Sequence, residues 1–180
     1  TDWVALTVGD GCTIAGAVKG LEEACRAGLI PRVPRVLGVQ AEGAAPLVEA
    51  ANSGRPWQPG PAETLADSIS VGHARNPHKA LDAVKRAKGA WVAVSDEAIL
   101  SAIATTGVLS GVFAEPAAAA ATAGVRRARE LGLIDQVPPA VSALKRAGVR
   151  DHERVRRGEA VDRPPRPVRL DAVELVEHGQ

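Results

Sequence analysis

The order of apolar and amphipathic segments predicts an α/β fold, a parallel doubly wound sheet with helices on both faces. Three observations support this. Strand-like and helix-like patterns alternate along the first three quarters of the chain, as they do in parallel sheets covered by helices. The segment Trp3–Val8 is almost wholly apolar, as expected of a strand buried on both faces. A glycine-rich turn, residues 9–13, then leads directly into a helical pattern.

The remaining elements follow from spacing and end signals. Ile14, Val18, Leu21 and Cys25 recur at helical spacing, and Gly28 ends that helix. Further strands are predicted at 35–40 and 90–94, and residues 112–115 are predicted to be extended. Further helices are predicted at 46–52, at 77–88, from Asp96 behind a Ser95 cap, and from Pro116 to Leu131.

Composition excludes several classes of protein. The 180 residues carry a formal net charge of +1, which gives no general attraction to nucleic acid or membrane. No apolar run approaches the roughly 20 residues of a membrane span, and two cysteines form neither a disulfide framework nor a zinc pattern. We therefore expect a cytoplasmic protein without a metal site. The chain starts at Thr1 and enters a strand at once, so we expect a fragment of a longer protein.

The end of the chain has a different pattern. Val141 and Leu144, with Lys145 and Arg146 beside them, favour a surface helix, and six arginines, six acids and three prolines follow from His152 onward. The basic stretch 154–157 is an alternative contact for an anionic partner, but a solvated tail is the simpler interpretation. We predict two regions, an α/β domain at 1–136 and a divergent C-terminal segment with a charged tail at 137–180.

The turn after the first strand has the features of a phosphate site. Unpaired amides at a helix start and the helix dipole favour an anion, and glycines allow it to approach the backbone. Ile14 stands where the dinucleotide fingerprint has its third glycine, and Gly16 is not followed by the Lys-Ser/Thr of a P-loop. A tight strand-to-helix turn without a ligand is the alternative.

Residues 9–16, Gly-Asp-Gly-Cys-Thr-Ile-Ala-Gly, resemble the Gly-x-Gly-Gly-Thr-Ile-x-Gly phosphate cup of fold type II pyridoxal-phosphate enzymes, with Cys12 in place of one glycine. Four later blocks look like threonine synthase segments in family order. They are Leu37-Gly-Val-Gln-Ala-Glu-Gly-Ala-Ala-Pro46, Thr64-Leu-Ala-Asp-Ser-Ile-Ser-Val-Gly72, Val92-Ala-Val-Ser-Asp-Glu-Ala-Ile-Leu100 and Phe113-Ala-Glu-Pro-Ala-Ala-Ala118. The resemblance covers about residues 4–135 and implies part of a fold type II domain.

The resemblance implies a set of residues that bind pyridoxal 5'-phosphate. The cofactor phosphate would lie in the cup, with the Asp10 carboxylate turned away from it, while Ser68 would line the cofactor face and Glu115 the ring edge. The predicted cofactor-binding residues are Gly9, Asp10, Gly11, Cys12, Thr13, Ser68 and Glu115. Alternatives remain: Asp67 or Ser68 caps a turn, and Glu115 serves only the start of a helix.

The family resemblance also implies an activity, the conversion of O-phosphohomoserine and water to threonine and phosphate in threonine biosynthesis. The resemblance also implies a small amino-acid substrate, and it leaves open whether the protein forms a homodimer. However, none of the lysines lies in the Ser-x-Lys context of the Schiff-base lysine, and Lys145-Arg146 stands where the family has Thr-Gly. We therefore predict no catalytic residue and no activity for this chain alone. A threonine dehydratase-like enzyme and a non-catalytic remnant or partner protein are the alternatives.

Overall fold

A computed structural model of the chain describes residues 1–134. The chain divides into two units, Thr1–Gln136 and Val137–Gln180, so the described residues belong to the first. The elements, in chain order, are β1 (Trp3–Thr7), α1 (Cys12–Arg26), β2 (Arg35–Ala41), α2 (Pro46–Ser53), α3 (Pro77–Arg86), β3 (Ala90–Val94), α4 (Asp96–Ser110) and α5 (Pro116–Glu130), with single 3-10 turns at Glu42–Ala44 and Asp67–Ile69.

The strands of the first unit form one parallel sheet in the order β1-β2-β3. Ala5 pairs with Leu37 on one side of β2, and Val39 pairs with Val92 on the other. Each parallel connection therefore passes through helices, α1 for the first and α2 with α3 for the second. The predicted α/β fold with a parallel sheet is confirmed.

Two apolar cores flank the sheet, because successive side chains of a strand point to opposite faces. Val36 of β2 packs with α1, α2 and α3 residues such as Ile14, whereas Leu37 and Val39 pack with α4 and α5. α5 lies very close to β2, since a Cβ at Gly124 would come within 2.3 Å of a Val39 methyl. The other buried residues of α5 are alanines, whose small side chains allow the helix to lie this close to β2. Helices cover both faces, as predicted.

The observed boundaries differ from the predicted ones by only a few residues. α3 ends at Arg86 rather than at 88, because Lys88 adopts a positive φ of 51° and the Gly89 amide turns back to the Val84 carbonyl. β1 ends at Thr7, although the Val8 amide still donates to the Val39 carbonyl at 2.8 Å. In the part of the chain that the structure describes, none of the helices has the length and hydropathy to span a bilayer. The surface helix predicted around 141–144 lies outside the described residues.

Candidate functional site

A cavity of about 380 Å³ opens at the carboxyl end of β1, which is where ligands bind in open parallel sheets. Three segments meet there: the turn into α1, the single 3-10 turn at Asp67–Ile69, and the start of α5. The lining residues are Thr7, Val8, Gly9, Asp10, Gly11, Cys12, Thr13, Ile14, Ser68, Ile69, Val71, Glu115, Ala117 and Ala118.

The cavity brings together every residue that the sequence predicted for the cofactor. The cup residues 9–13 form one wall, and Ser68 and Glu115 reach the same space from segments far apart in the chain. The lysines of the described region, Lys19, Lys79, Lys85 and Lys88, do not line it. Lys145 lies outside the described residues.

The start of α1 leaves backbone donors free for an anion. Gly11 occupies the N-cap position with a left-handed φ of 84°, so it offers no side chain to the first helical turn, and that turn carries no acid. The amides of Cys12, Thr13 and Ile14 have no carbonyl partner within the helix. A Cβ at Gly11 would lie 2.8 Å from both the Ala80 Cβ and the Asn76 carbonyl oxygen, so only glycine fits this position.

The carboxylate of Asp10 is engaged outside the cup. Its Oδ1 accepts a hydrogen bond from the Arg75 amide at 3.3 Å, and its Oδ2 lies 3.8 Å from Arg75 Nε. The Arg75 cation partly balances the Asp10 carboxylate, which as an uncompensated negative charge would repel a phosphate. The arrangement agrees with the expectation that this side chain turns away from a bound anion.

The opposite wall contains a carboxylate, that of Glu115, which does not cap its own helix. Glu115 is the N-cap residue of α5, yet its side chain makes no capping hydrogen bond. The alternative of helix capping for Glu115 therefore lacks support in the structure, and the Glu115 side chain is free to serve a ligand.

A separate clip holds the segment that carries Ser68. Thr64 Oγ1 donates to Asp96 Oδ1 at 2.5 Å, and the Leu65 amide donates to Asp96 Oδ2 at 3.0 Å. Since Asp96 is the first residue of α4, the loop is tied to a rigid helix three residues before Ser68. The threonine of the Thr-Leu-Ala-Asp-Ser-Ile block thus has a structural role.

Gln40 is a positioning residue that sequence reasoning missed. It is fully buried within β2. Its Nε2 donates to the Val8 carbonyl at 3.2 Å, and its Oε1 accepts from the amides of Leu47 and Val48 at 2.9 and 3.1 Å. The side chain therefore fixes the chain just before the cup and closes the start of α2. The available signal was a polar residue inside an apolar strand, because a buried amide needs partners.

Neither cysteine is paired, and the described residues contain no group of three or more metal-ligating side chains. The hydrogen-bond donors at the cavity, which are backbone amides and hydroxyls, suit the oxygens of an organic phosphate. A Cβ at Gly9 would come within 3.0 Å of a Val71 methyl and narrow the cradle. The cup therefore fits the phosphate end of pyridoxal phosphate.

Comparison with known proteins agrees with this chemistry. A family model described as "Pyridoxal-phosphate dependent enzyme" matches residues 1–140. The threonine synthase of Mycobacterium leprae is 37% identical over 174 residues, which cover 96% of this chain and 46% of that protein. The threonine synthase of Methanosarcina acetivorans is 38% identical over 136 residues, 74% of this chain and 33% of that protein. The resemblance predicted from the motifs is confirmed, and the chain spans about half the length of the curated relatives.

Solved structures share the fold. The crystal structure of a T.th. threonine deaminase is similar with a TM-score of 0.56 and 25% identity, over 70% of this chain and 43% of that chain. A second family model, "TruB family pseudouridylate synthase (N terminal domain)", matches residues 115–180 and overlaps the first match over residues 115–140, which include α5. The chain therefore carries two family signals, of which the first covers the whole cavity.

Proposed function

Because the chain belongs to the family of pyridoxal-phosphate-dependent enzymes, we propose that residues 1–136 form the phosphate-binding part of a threonine synthase-type enzyme. The observation that carries the proposal is the cavity at the carboxyl end of β1, where residues 9–13, Ser68 and Glu115 meet. The proposal places the complete enzyme in cytoplasmic threonine biosynthesis, with O-phosphohomoserine as its substrate.

The residues of the cavity have separate roles in this proposal. The free amides of Cys12, Thr13 and Ile14 and the Thr13 hydroxyl donate to the cofactor phosphate, and the helix dipole of α1 adds to the attraction. Ser68 lines the face of the ring, and Glu115 lies at its edge. When bound, the cofactor supplies an electron-withdrawing ring that stabilises negative charge on the substrate.

A direct binding experiment tests the cup. The 180-residue chain is expected to bind pyridoxal phosphate in equilibrium dialysis and to bind pyridoxal, which lacks the phosphate, at least about tenfold more weakly. The Gly20→Ala variant should bind both compounds as the natural chain does, because Gly20 lies on α1 outside the cavity and the added Cβ has no atom within 4 Å. Equal affinity for the two compounds would contradict a phosphate cup.

The chain alone is expected to have no threonine synthase activity, with or without added cofactor. The cavity has no lysine on its described walls, and loss of a general acid–base group of this kind costs typically about 10²–10⁴-fold in rate. Release of phosphate from O-phosphohomoserine measures the activity. Turnover by the purified chain would show that a lysine of this sequence replaces the missing one.

A threonine dehydratase-like reaction is the second enzyme candidate, and the likeness to a threonine deaminase structure supports it. Ser68 favours the synthase, since the dehydratases tend to have glycine at this point of the motif. Preferential binding of O-phosphohomoserine over threonine by the cofactor-loaded chain is the expected outcome. A chain that binds neither amino acid nor cofactor would favour the non-catalytic remnant or partner protein.

The C-terminal segment matches two kinds of protein, since the second family model reaches residue 180 and the threonine synthase alignment, over 96% of the chain, also extends into this segment. We propose that the cup needs only residues 1–136, which contain every residue that lines the cavity. The presence of Lys145-Arg146 in place of Thr-Gly agrees with this division. A chain shortened to residues 1–136 is expected to bind pyridoxal phosphate as well as the full chain does. A loss of affinity would show that the segment belongs to the site.

A further inference from the structure

Asn76 has an unusual position for a residue of its type. It is the N-cap residue of α3, and asparagine is among the best capping residues, because its side chain normally accepts a hydrogen bond from the first turn. Here its side chain makes no such bond. Instead, Asn76 Nδ2 donates to Cys12 Sγ, across 64 positions of sequence. The side chain thus serves α1 rather than its own helix.

The backbone around Asn76 contacts the cup as well. The Asn76 amide donates to the Asp10 carbonyl at 2.9 Å, and the Arg75 amide donates to the Asp10 carboxylate at 3.3 Å. The Asn76 carbonyl oxygen would lie 2.8 Å from a Cβ at Gly11, so the two chain segments are in direct contact. Residues 75–76 therefore support the outer side of the cup from Asp10 to Cys12.

We propose that Asn76 is a positioning residue for the phosphate cup, and that it acts through the Cys12 sulfur. By holding this side chain at the first position of α1, it fixes the direction in which the free amides of Cys12, Thr13 and Ile14 point. The inference rests on the proposed function of the cup. It is specific to this chain, because the glycine that Cys12 replaces in the motif would give the Asn76 side-chain amide no sulfur to hold.

A double-mutant cycle without cofactor tests the contact itself. Asn76→Ala is expected to raise the unfolding equilibrium constant about threefold in the natural background and to leave it unchanged in a Cys12→Ala background, since a thiol sulfur is a weak acceptor and the contact is exposed. Cys25→Ala is the matched control, because Cys25 lies on the same helix and the cycle with it should show no coupling. An effect of Asn76→Ala that is equal with and without the Cys12→Ala substitution would overturn the proposal.

A second cycle measures cofactor affinity in the full chain by equilibrium dialysis. Asn76→Ala is expected to weaken pyridoxal phosphate binding about threefold, to have no effect in the Cys12→Ala background, and to leave pyridoxal binding unchanged. Asn76→Ser, which keeps a capping residue type before α3 but is too short to reach Cys12, should behave in the same way. It replaces Asn76→Ala if the alanine variant does not fold.

The outcomes separate the two proposals. An affinity loss that persists in the Cys12→Ala background, or one that affects pyridoxal equally, would overturn the positioning role. If the natural chain binds no pyridoxal phosphate, the proposed function fails, and the positioning role falls with it, while the stability cycle still decides whether Asn76 holds Cys12. Coupling in both cycles would support the inference.

Discussion

The helices α1 and α4 both contain 15 residues, and both follow a strand of the same parallel sheet almost directly, but they begin in opposite ways. The start of α4 is capped, because Ser95 Oγ accepts a hydrogen bond from the Ala98 amide at 3.2 Å, and the first turn contains two acids. α1 begins at Gly11, without a capping side chain and without an acid.

The difference shows which helix start at the carboxyl edge of the sheet is open to an anion. At α4, the acids already complement the positive end of the helix dipole, and Asp96 also holds the Thr64 loop. At α1, the same positive potential and the free amides are left for a ligand, and the nearest carboxylate, that of Asp10, is engaged by Arg75. A capped helix start stabilises the fold, whereas an uncapped one lacks that stabilisation and leaves its amides free to bind a ligand.

The largest expected effect comes from a side chain at the open end. Gly11→Ala should lower the free energy of unfolding by at least about 2 kcal/mol, because the left-handed conformation costs a non-glycine residue about 1–2 kcal/mol and the added Cβ clashes with Ala80 and Asn76. Pyridoxal phosphate binding should be lost with it. Urea unfolding and dialysis measure the two effects.

The matched control for this substitution lies on the same helix. Gly20→Ala adds a Cβ that meets no atom within 4 Å, so it should stabilise the chain by up to about 1 kcal/mol through helix propensity. A Gly11→Ala variant as stable as Gly20→Ala would mean that the left-handed start of α1 is not required.

Giving α1 the acid that α4 already has should move stability and binding in opposite directions. Thr13→Glu is expected to raise the free energy of unfolding of the cofactor-free chain by about 0.3–1 kcal/mol through the helix dipole. The same charge should weaken pyridoxal phosphate binding at least about tenfold by repulsion. Thr13→Gln, which is neutral and of similar size, separates charge from bulk. Unchanged affinity in Thr13→Glu would place the phosphate elsewhere.

Much of this architecture could be predicted from the sequence. Trp3–Val8 and the 35–40 and 90–94 segments were found because buried parallel strands are continuous apolar runs. The cup was found because glycines between a strand and a helix form a local motif whose chemistry does not depend on distant residues. The starts of α3 and α5, which are marked by Pro77 and Pro116, were predicted correctly for the same local reason.

The contacts that support the cup could not be predicted in this way. Asn76 and Cys12 are 64 positions apart, and Thr64 and Asp96 are 32 positions apart, so each pair is brought together only by the packing of helices over the sheet. Asn76 also carries a misleading local signal, since an asparagine before Pro77 is typical of a helix cap. The buried Gln40 needed partners, but the sequence did not reveal which ones.

A smaller effect is expected at the closed helix start. Ser95→Ala removes the bond to the Ala98 amide and should lower the free energy of unfolding by about 1 kcal/mol, the usual cost of a lost cap. Pyridoxal phosphate affinity should stay within about twofold of the natural chain, since α4 lines no part of the cavity. A large loss of affinity without unfolding would show that the Asp96 clip transmits the change to Ser68.

The smallest expected effect is a dependence of stability on pH at the same helix start. The pKa of Glu97 is lowered from 4.5, mainly by a hydrogen bond with Ser95 and then by its own backbone amide. A carboxyl group whose pKa is lower in the folded state contributes stability above its unfolded pKa and loses that contribution as the pH falls through the folded value. The natural chain should therefore be more stable than Glu97→Gln at neutral pH, and the difference should shrink as the pH is lowered below 4.5. Urea unfolding of both chains across this range measures it, with Ser95→Ala as the background in which the difference should be smaller throughout. A difference that persists below the folded-state pKa, where both states are protonated, would show that Glu97 stabilises α4 by packing rather than by charge.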